Sequence, residues 1–158
     1  MRSRLLPLIL ALAGACAFAF AVQTAWWSAG GVTIGPFGSR HCFGGECGEG
    51  GLAFLGGTDL WMRAGVASRA AGYITMFILI IVAGALAAKR VPTVIARSSL
   101  VATLTAMVSG GYFLAAFPAA SLGHEESIGP GVYLFVGAVV LAIAAGVFTL
   151  RLPTPDRR

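Results

Sequence analysis

Charge is scarce in this chain. Of 158 residues, 11 are Lys or Arg and six are Asp or Glu. That is 11%, against about 25% in an ordinary soluble domain, and it excludes a charged, water-soluble globule. The few charges are also unevenly placed. No Asp, Glu or Lys stands inside any of the four long apolar runs at 5–27, 66–88, 98–120 and 132–150. A proton-coupled carrier needs an ionisable group at membrane depth, so a small antiporter is disfavoured. Histidine is rarer still: His41 and His124 both lie between runs, which leaves no axial pair for a haem held between helices. The cysteines are Cys16, Cys42 and Cys47. With no Cys-x-x-Cys, the thiol-oxidoreductase reading is weak. His41, Cys42, Cys47 and His124 have the right types for zinc or copper, but their spacing matches no metal signature. No catalytic residue, metal or cofactor is expected, and the chain does not read as an enzyme.

Apolar length is abundant: 58% of residues are hydrophobic and the mean hydropathy is +0.87. Each run is close to the roughly 20 residues that cross a hydrocarbon core of about 30 Å. Backbone polar groups in that core must be satisfied within the segment, so the runs are expected to be helices. The expected fold is an all-α transmembrane four-helix bundle forming a single integral membrane domain over residues 1–158. Arg69, near the start of the second run, can reach the headgroups with its long side chain.

The basic residues set the orientation. Arg2, Arg4, Lys89, Arg90, Arg97, Arg151, Arg157 and Arg158 fall on one side of the spans, and Arg40, Arg63 and Arg69 on the other. The positive-inside rule then puts both termini in the cytoplasm, in a plasma or inner membrane. Because the net charge of +5 is spread beside the spans rather than gathered in one patch, nucleic acid is not an expected partner. Membrane lipid is, together with other membrane proteins or a like copy. Met1–Cys16 also resembles a lipoprotein signal, but the apolar run continues past Cys16 to Trp26 and Trp27. A continuous span is the preferred reading, with Cys16 a small buried residue in it.

Residues 28–65 form the one long connection, on the extracytoplasmic side. It is rich in glycine, which marks turns and close backbone approaches, and Val32, Ile34 and Phe37 supply strand-compatible apolar residues. Pro36 confines the first strand to an edge or a short piece. We expect a small antiparallel sheet in this first extracytoplasmic loop, on the outer ends of the helices. Cys42 and Cys47 flank Phe-Gly-Gly-Glu, and Gly-Gly suits a tight hairpin turn. A disulfide between them would close the hairpin on an oxidising side of the membrane; in a reducing setting the two would be free thiols. Phe37, Phe43, Phe54, Leu55 and Trp61 are candidate contact residues, with packing on the helix tops as the competing role, or membrane-interface anchoring for Trp61. Arg69 is expected to pair with Asp59, Glu125 or Glu126, the acids on its side. Residues 151–158 read as a basic tail. Small residues at helical spacing (Ala13, Ala17, Ala21 and Ala25; Ala138, Ala142 and Gly146; Gly110, Gly111 and Ala115) predict close helix packing. Thr75, Thr103, Thr105, Ser109 and Tyr112 could line a polar path, although such groups commonly bond to helix backbone.

The order of a span with Trp26 or Trp27 at its outer end, a strand-prone loop with Cys42 and Cys47, Ala67-Ser68-Arg69-Ala70 at the top of the second span, and two further spans resembles the claudin and peripheral myelin protein superfamily of tetraspan proteins. Phe37-Gly38-Ser39 stands where that family has Gly-Leu-Trp, and the chain's Ala, Gly and Arg content suits a bacterial relative. The resemblance implies the bundle-and-sheet fold, the Cys42–Cys47 bond and structural roles for Trp26, Trp27 and Arg69. It does not carry paracellular channel activity to this chain. The function expected is therefore a structural or interaction role through the outer loop. The alternatives are an accessory subunit of a larger membrane enzyme or transporter, and a small transporter or channel.

Overall fold

A computed structural model describes residues 2–55, 57–117 and 127–153, without the side chains of residues 2, 3, 54 and 55. Its helices are α1 (Arg2–Ala21), α2 (Asp59–Ala87), α3 (Thr93–Ala115) and α4 (Pro130–Leu150). All four are long and apolar enough to cross a membrane. Between α1 and α2 run β1 (Trp27–Ala29), β2 (Val32–Gly35), β3 (Gly38–Phe43) and β4 (Glu46–Gly50), then a 3-10 turn at Leu52–Leu55. The fifth strand, β5 (Ser127–Ile128), precedes α4. The strands form one antiparallel sheet in the order β4-β3-β2-β1-β5. Both connections at this end of the bundle thus feed one sheet.

The helix interior reverses the pattern of a soluble core. On α3 the buried residues are Ala96, Ser99, Thr103, Ala106, Gly110 and Phe113, at the three-to-four spacing of one helical face. The outward residues of the same helix include Val101, Leu104 and Val108, all more than half exposed. On α4, Ala138, Ala142 and Gly146 face inward, while Val136, Val140 and Ile143 face out. Small residues inside and large apolar ones outside suit a bilayer, where helices associate by close packing rather than by hiding apolar area. In water so large an apolar girdle would be an aggregation site. The chain is an integral membrane protein.

α1 packs closely on α4, and α2 on α3. The stripe expected at Ala13, Ala17, Ala21 and Ala25 is displaced, because the inward face of α1 runs through Pro7, Ala11, Gly14, Ala15, Phe18, Ala21 and Val22. Gly14 on this face packs beside Leu79 of α2 and the Ala142 backbone of α4. Cys16 is exposed rather than buried, since it lies beside this face and not on it. Helix limits shift as well. The first run ends as helix at Ala21 because Trp27 already belongs to β1, whereas the second begins seven residues early, at Asp59. Thr58 caps that helix by accepting from the Trp61 N–H at 3.2 Å. At 29 residues, α2 is about 43 Å long, longer than the hydrocarbon core, so its first turns rise beside the sheet.

Two of the sheet's turns follow from paired glycines. Gly30 and Gly31 have φ of 53° and 87°, and Gly44 and Gly45 have φ of 60° and 90°. Two successive positive φ values make the type I′ turn that matches strand twist. Pro36 and Phe37 form the remaining two-residue turn, between Gly35 and Gly38, so Pro36 ends β2 without removing a ladder bond.

Candidate functional site

The site is built on an aromatic platform under the sheet. Trp26 is fully buried, with ring centroids 4.8 Å from Phe135 and 5.6 Å from Phe113. Trp27 stacks on Phe117 at 4.1 Å, and Trp61 stacks on Phe113 at 4.8 Å. The two buried indoles also close helix ends. Trp26 Nε1 donates to the Ala21 carbonyl at 2.8 Å, and Trp61 Nε1 to the Phe113 carbonyl at 2.9 Å. Carbonyls in the last turn of a helix have no intrahelical donor, and here α1 and α3 each receive a tryptophan. The Trp26 backbone joins three elements: its N–H donates to the Ile34 carbonyl and its carbonyl accepts from Gly129.

Trp61 was a candidate contact residue at the sequence level. It is fully buried and belongs to the platform, because α2 starts early and carries it inside. Phe18, Phe113, Phe117 and Phe135 were not foreseen as a cluster. Their signal lay in position, since each stands at or just beyond the sheet end of a helix.

The β3–β4 hairpin continues the same sheet away from β1 and its tryptophans. Cys42 and Cys47 face each other in the ladder and form a disulfide with a Cα–Cα distance of 4.1 Å. Both sulfurs are therefore committed to each other and not to a metal. Ser39, at the base, is buried, whereas residues 42–47 are all exposed. Phe43 at the tip is 54% exposed and lies over His41, with centroids 6.0 Å apart. Arg40 pairs with Glu49 at 3.1 Å, and its guanidinium lies 4.9 Å above the Phe37 ring. Phe37 is half-buried in the β2–β3 turn. Phe54 and Leu55 lie in the 3-10 turn, with side chains outside the described residues.

Arg69 reaches toward the Phe37 carbonyl, with Nη1 at 3.5 Å. This ties the top of α2 to the β2–β3 turn. The ion pair formed among the described residues is Arg40–Glu49, and Asp59 is exposed at the first turn of α2. Glu125 and Glu126, the other acids considered for Arg69, lie outside the described residues.

Of the polar-path residues, Tyr112 is exposed on α3, and the threonines and the serine bond to their own helices. Thr75 donates to the Ala71 carbonyl at 2.8 Å, Thr103 to Ser99 at 2.7 Å, Thr105 to Val101 at 3.1 Å and Ser109 to Thr105 at 2.8 Å. Comparison with protein-family models gives no match, and neither does comparison with curated protein sequences.

Proposed function

We propose that this chain is a structural or interaction protein, claudin-like in plan, that presents a disulfide-closed hairpin on the extracytoplasmic side of the membrane to a second membrane protein or a like copy. The observation that carries the reading is the hairpin itself. Residues 42–47 are exposed yet locked by a covalent bond, and an ordered apolar tip costs little entropy to engage. Glu46 and Glu49 lie on β4, the edge strand. Charges on an edge discourage indiscriminate strand pairing, so contact runs through the tip and side chains. Phe43 is the anchor, in the manner of aromatic hot spots.

Replacing Phe43 with Asp tests this. An exposed side chain contributes little to folding, so the variant keeps its helical content and melting temperature. Cross-linked capture of the partner or second copy in membranes falls by about tenfold or more, as expected for a central anchor worth at least 1.4 kcal/mol. Unchanged capture overturns the contact role.

The orientation is tested separately, in a Cys16→Ala background. Thr33→Cys in β2 is expected to react with a membrane-impermeant maleimide in intact cells. Arg90→Cys, between α2 and α3, reacts only after permeabilisation. The opposite pattern places the hairpin in the cytoplasm and removes the oxidising setting on which the reading rests.

A further inference from the structure

Below the β2–β3 turn, on the outward face of α2, lies an open groove of about 580 Å³. Small-molecule sites run from about 300 to 1,000 Å³. Its walls are mainly apolar: Phe37, Leu52, Met62, Val66 and Ala70. Two cations, Arg63 and Arg69, also line it. Both are exposed, and among the described residues neither has an acidic partner within ion-pair distance. Asp59, one helical turn before Arg63, forms no ion pair there, and Glu49 on the neighbouring hairpin is engaged by Arg40.

The height of the groove decides what it can hold. Measured back from Ala87 at the other end of α2, Arg69 stands about 27 Å up and Arg63 about 36 Å up. Lys89 and Arg90 follow that end in the sequence and mark the opposite headgroup layer. With a hydrocarbon core of about 30 Å and a total thickness of about 40–45 Å, Arg69 is at the hydrocarbon boundary and Arg63 within the headgroup layer. Val66, about 32 Å up, lies between the two arginines at the headgroup boundary, and Ala70, about 26 Å up, carries the apolar wall into the acyl region.

We propose that this groove is a binding site for an anionic phospholipid, its phosphate and anionic headgroup between Arg63 and Arg69, its glycerol end over Val66 and its acyl chain descending past Ala70. The charge complementarity is specific. Two guanidiniums with no acid in ion-pair distance among the described residues favour a headgroup of net negative charge over a zwitterionic one, whose own ammonium would be brought beside them. Guanidinium also matches phosphate geometry with paired N–H donors.

The test is native mass spectrometry of the full-length protein from mild detergent, after incubation with equimolar phosphatidylglycerol and phosphatidylcholine of identical chains. The expected result is retention of phosphatidylglycerol over phosphatidylcholine by about tenfold, which corresponds to about 1.4 kcal/mol. Arg63→Gln lowers that ratio severalfold, and Arg63→Gln with Arg69→Gln abolishes it. Arg63 is exposed and forms no ion pair among the described residues, so the single variant serves even if the double variant does not fold. Val66→Trp fills the groove with both arginines intact and removes retention of either lipid. Soluble glycerol phosphate at millimolar concentration does not displace the bound lipid. Equal retention of the two lipids would overturn the proposal in favour of simple snorkelling. Displacement by glycerol phosphate would overturn it in favour of a free-phosphate site, and selectivity surviving Val66→Trp in favour of diffuse surface attraction. A protein segment retained in place of lipid would assign the groove to a partner chain.

Discussion

Replacing Trp26 with Ala is expected to destabilise the protein more than any other single substitution at the sheet end. The side chain is fully buried and contacts Trp27, Phe113 and Phe135. Truncating a buried Trp to Ala costs about 3–5 kcal/mol, because the cavity only partly collapses. The substitution also removes the donor from the Ala21 carbonyl, and an orphaned buried acceptor costs roughly 1–3 kcal/mol. A fall in melting temperature of roughly 10–30 °C in detergent is the expected readout, using about 2–4 °C per kcal/mol for a chain of this size. Trp26→Phe separates the two contributions: it keeps most of the packing, loses the indole N–H and is expected to fall between the wild type and Trp26→Ala. Equal melting temperatures for Trp26→Ala and wild type would contradict the platform.

Removing the disulfide is the second large effect, and it is local. Cys42 and Cys47 are separated by five positions, and closing so short a loop contributes about 2 kcal/mol by constraining the unfolded chain. β4 is an edge strand with its ladder partner on one side only, in β3, so without the bond it is the marginal element of the sheet. In the Cys42→Ala, Cys47→Ala variant, amide protection is lost across β4 and the tip, from Phe43 to Glu49, while β3 keeps its ladder to β2. Protection in α1 to α4 is unchanged, because the helices pack through the aromatic platform and not through the hairpin. Hydrogen exchange read by mass spectrometry checks this. Loss of protection in the helices would mean that the hairpin organises the bundle.

Much of this fold was legible in the sequence, for identifiable reasons. A hydrocarbon core admits few backbone solutions, so apolar run length and Lys/Arg placement expose four helices and a membrane class. Gly44-Gly45 between Cys42 and Cys47 announces its own turn, and with it the bond. The ends of the runs were harder. Hydropathy cannot tell Trp26 and Trp27 as the end of a span from Trp26 and Trp27 as the start of a strand; the Ile34 and Gly129 backbone contacts decide it. The inward stripe of α1 was misplaced because alanine is so frequent there that several faces qualify, and Gly14 and Phe18 select one only through neighbours on other helices. For Trp61 the sequence left partner contact, packing on the helix tops and interface anchoring open, because the early start of α2 that buries it has no signature in composition. The candidate hairpin was legible through its cysteines, whereas the apolar groove against α2 was not. That groove arises where residues 36–38, 51–53 and 62–70 meet, a junction that no single stretch of sequence displays.

The same packing bears on the competing roles. An accessory subunit would use the lipid-facing girdle or the hairpin to reach a larger chain, and a transporter would need polar groups free to meet solute. The threonines and serine considered for such a path are bonded to their own helices, which favours contact over conduction.

The most direct measurement is purification of the wild-type chain from its native membrane in mild detergent, with cross-linking and quantitative mass spectrometry of every chain recovered. The proposed role predicts a stoichiometric second chain, or a second copy, whose cross-links fall on residues 40–49. Recovery as a monomer with no companion, or a companion cross-linked only through the helices, would contradict it.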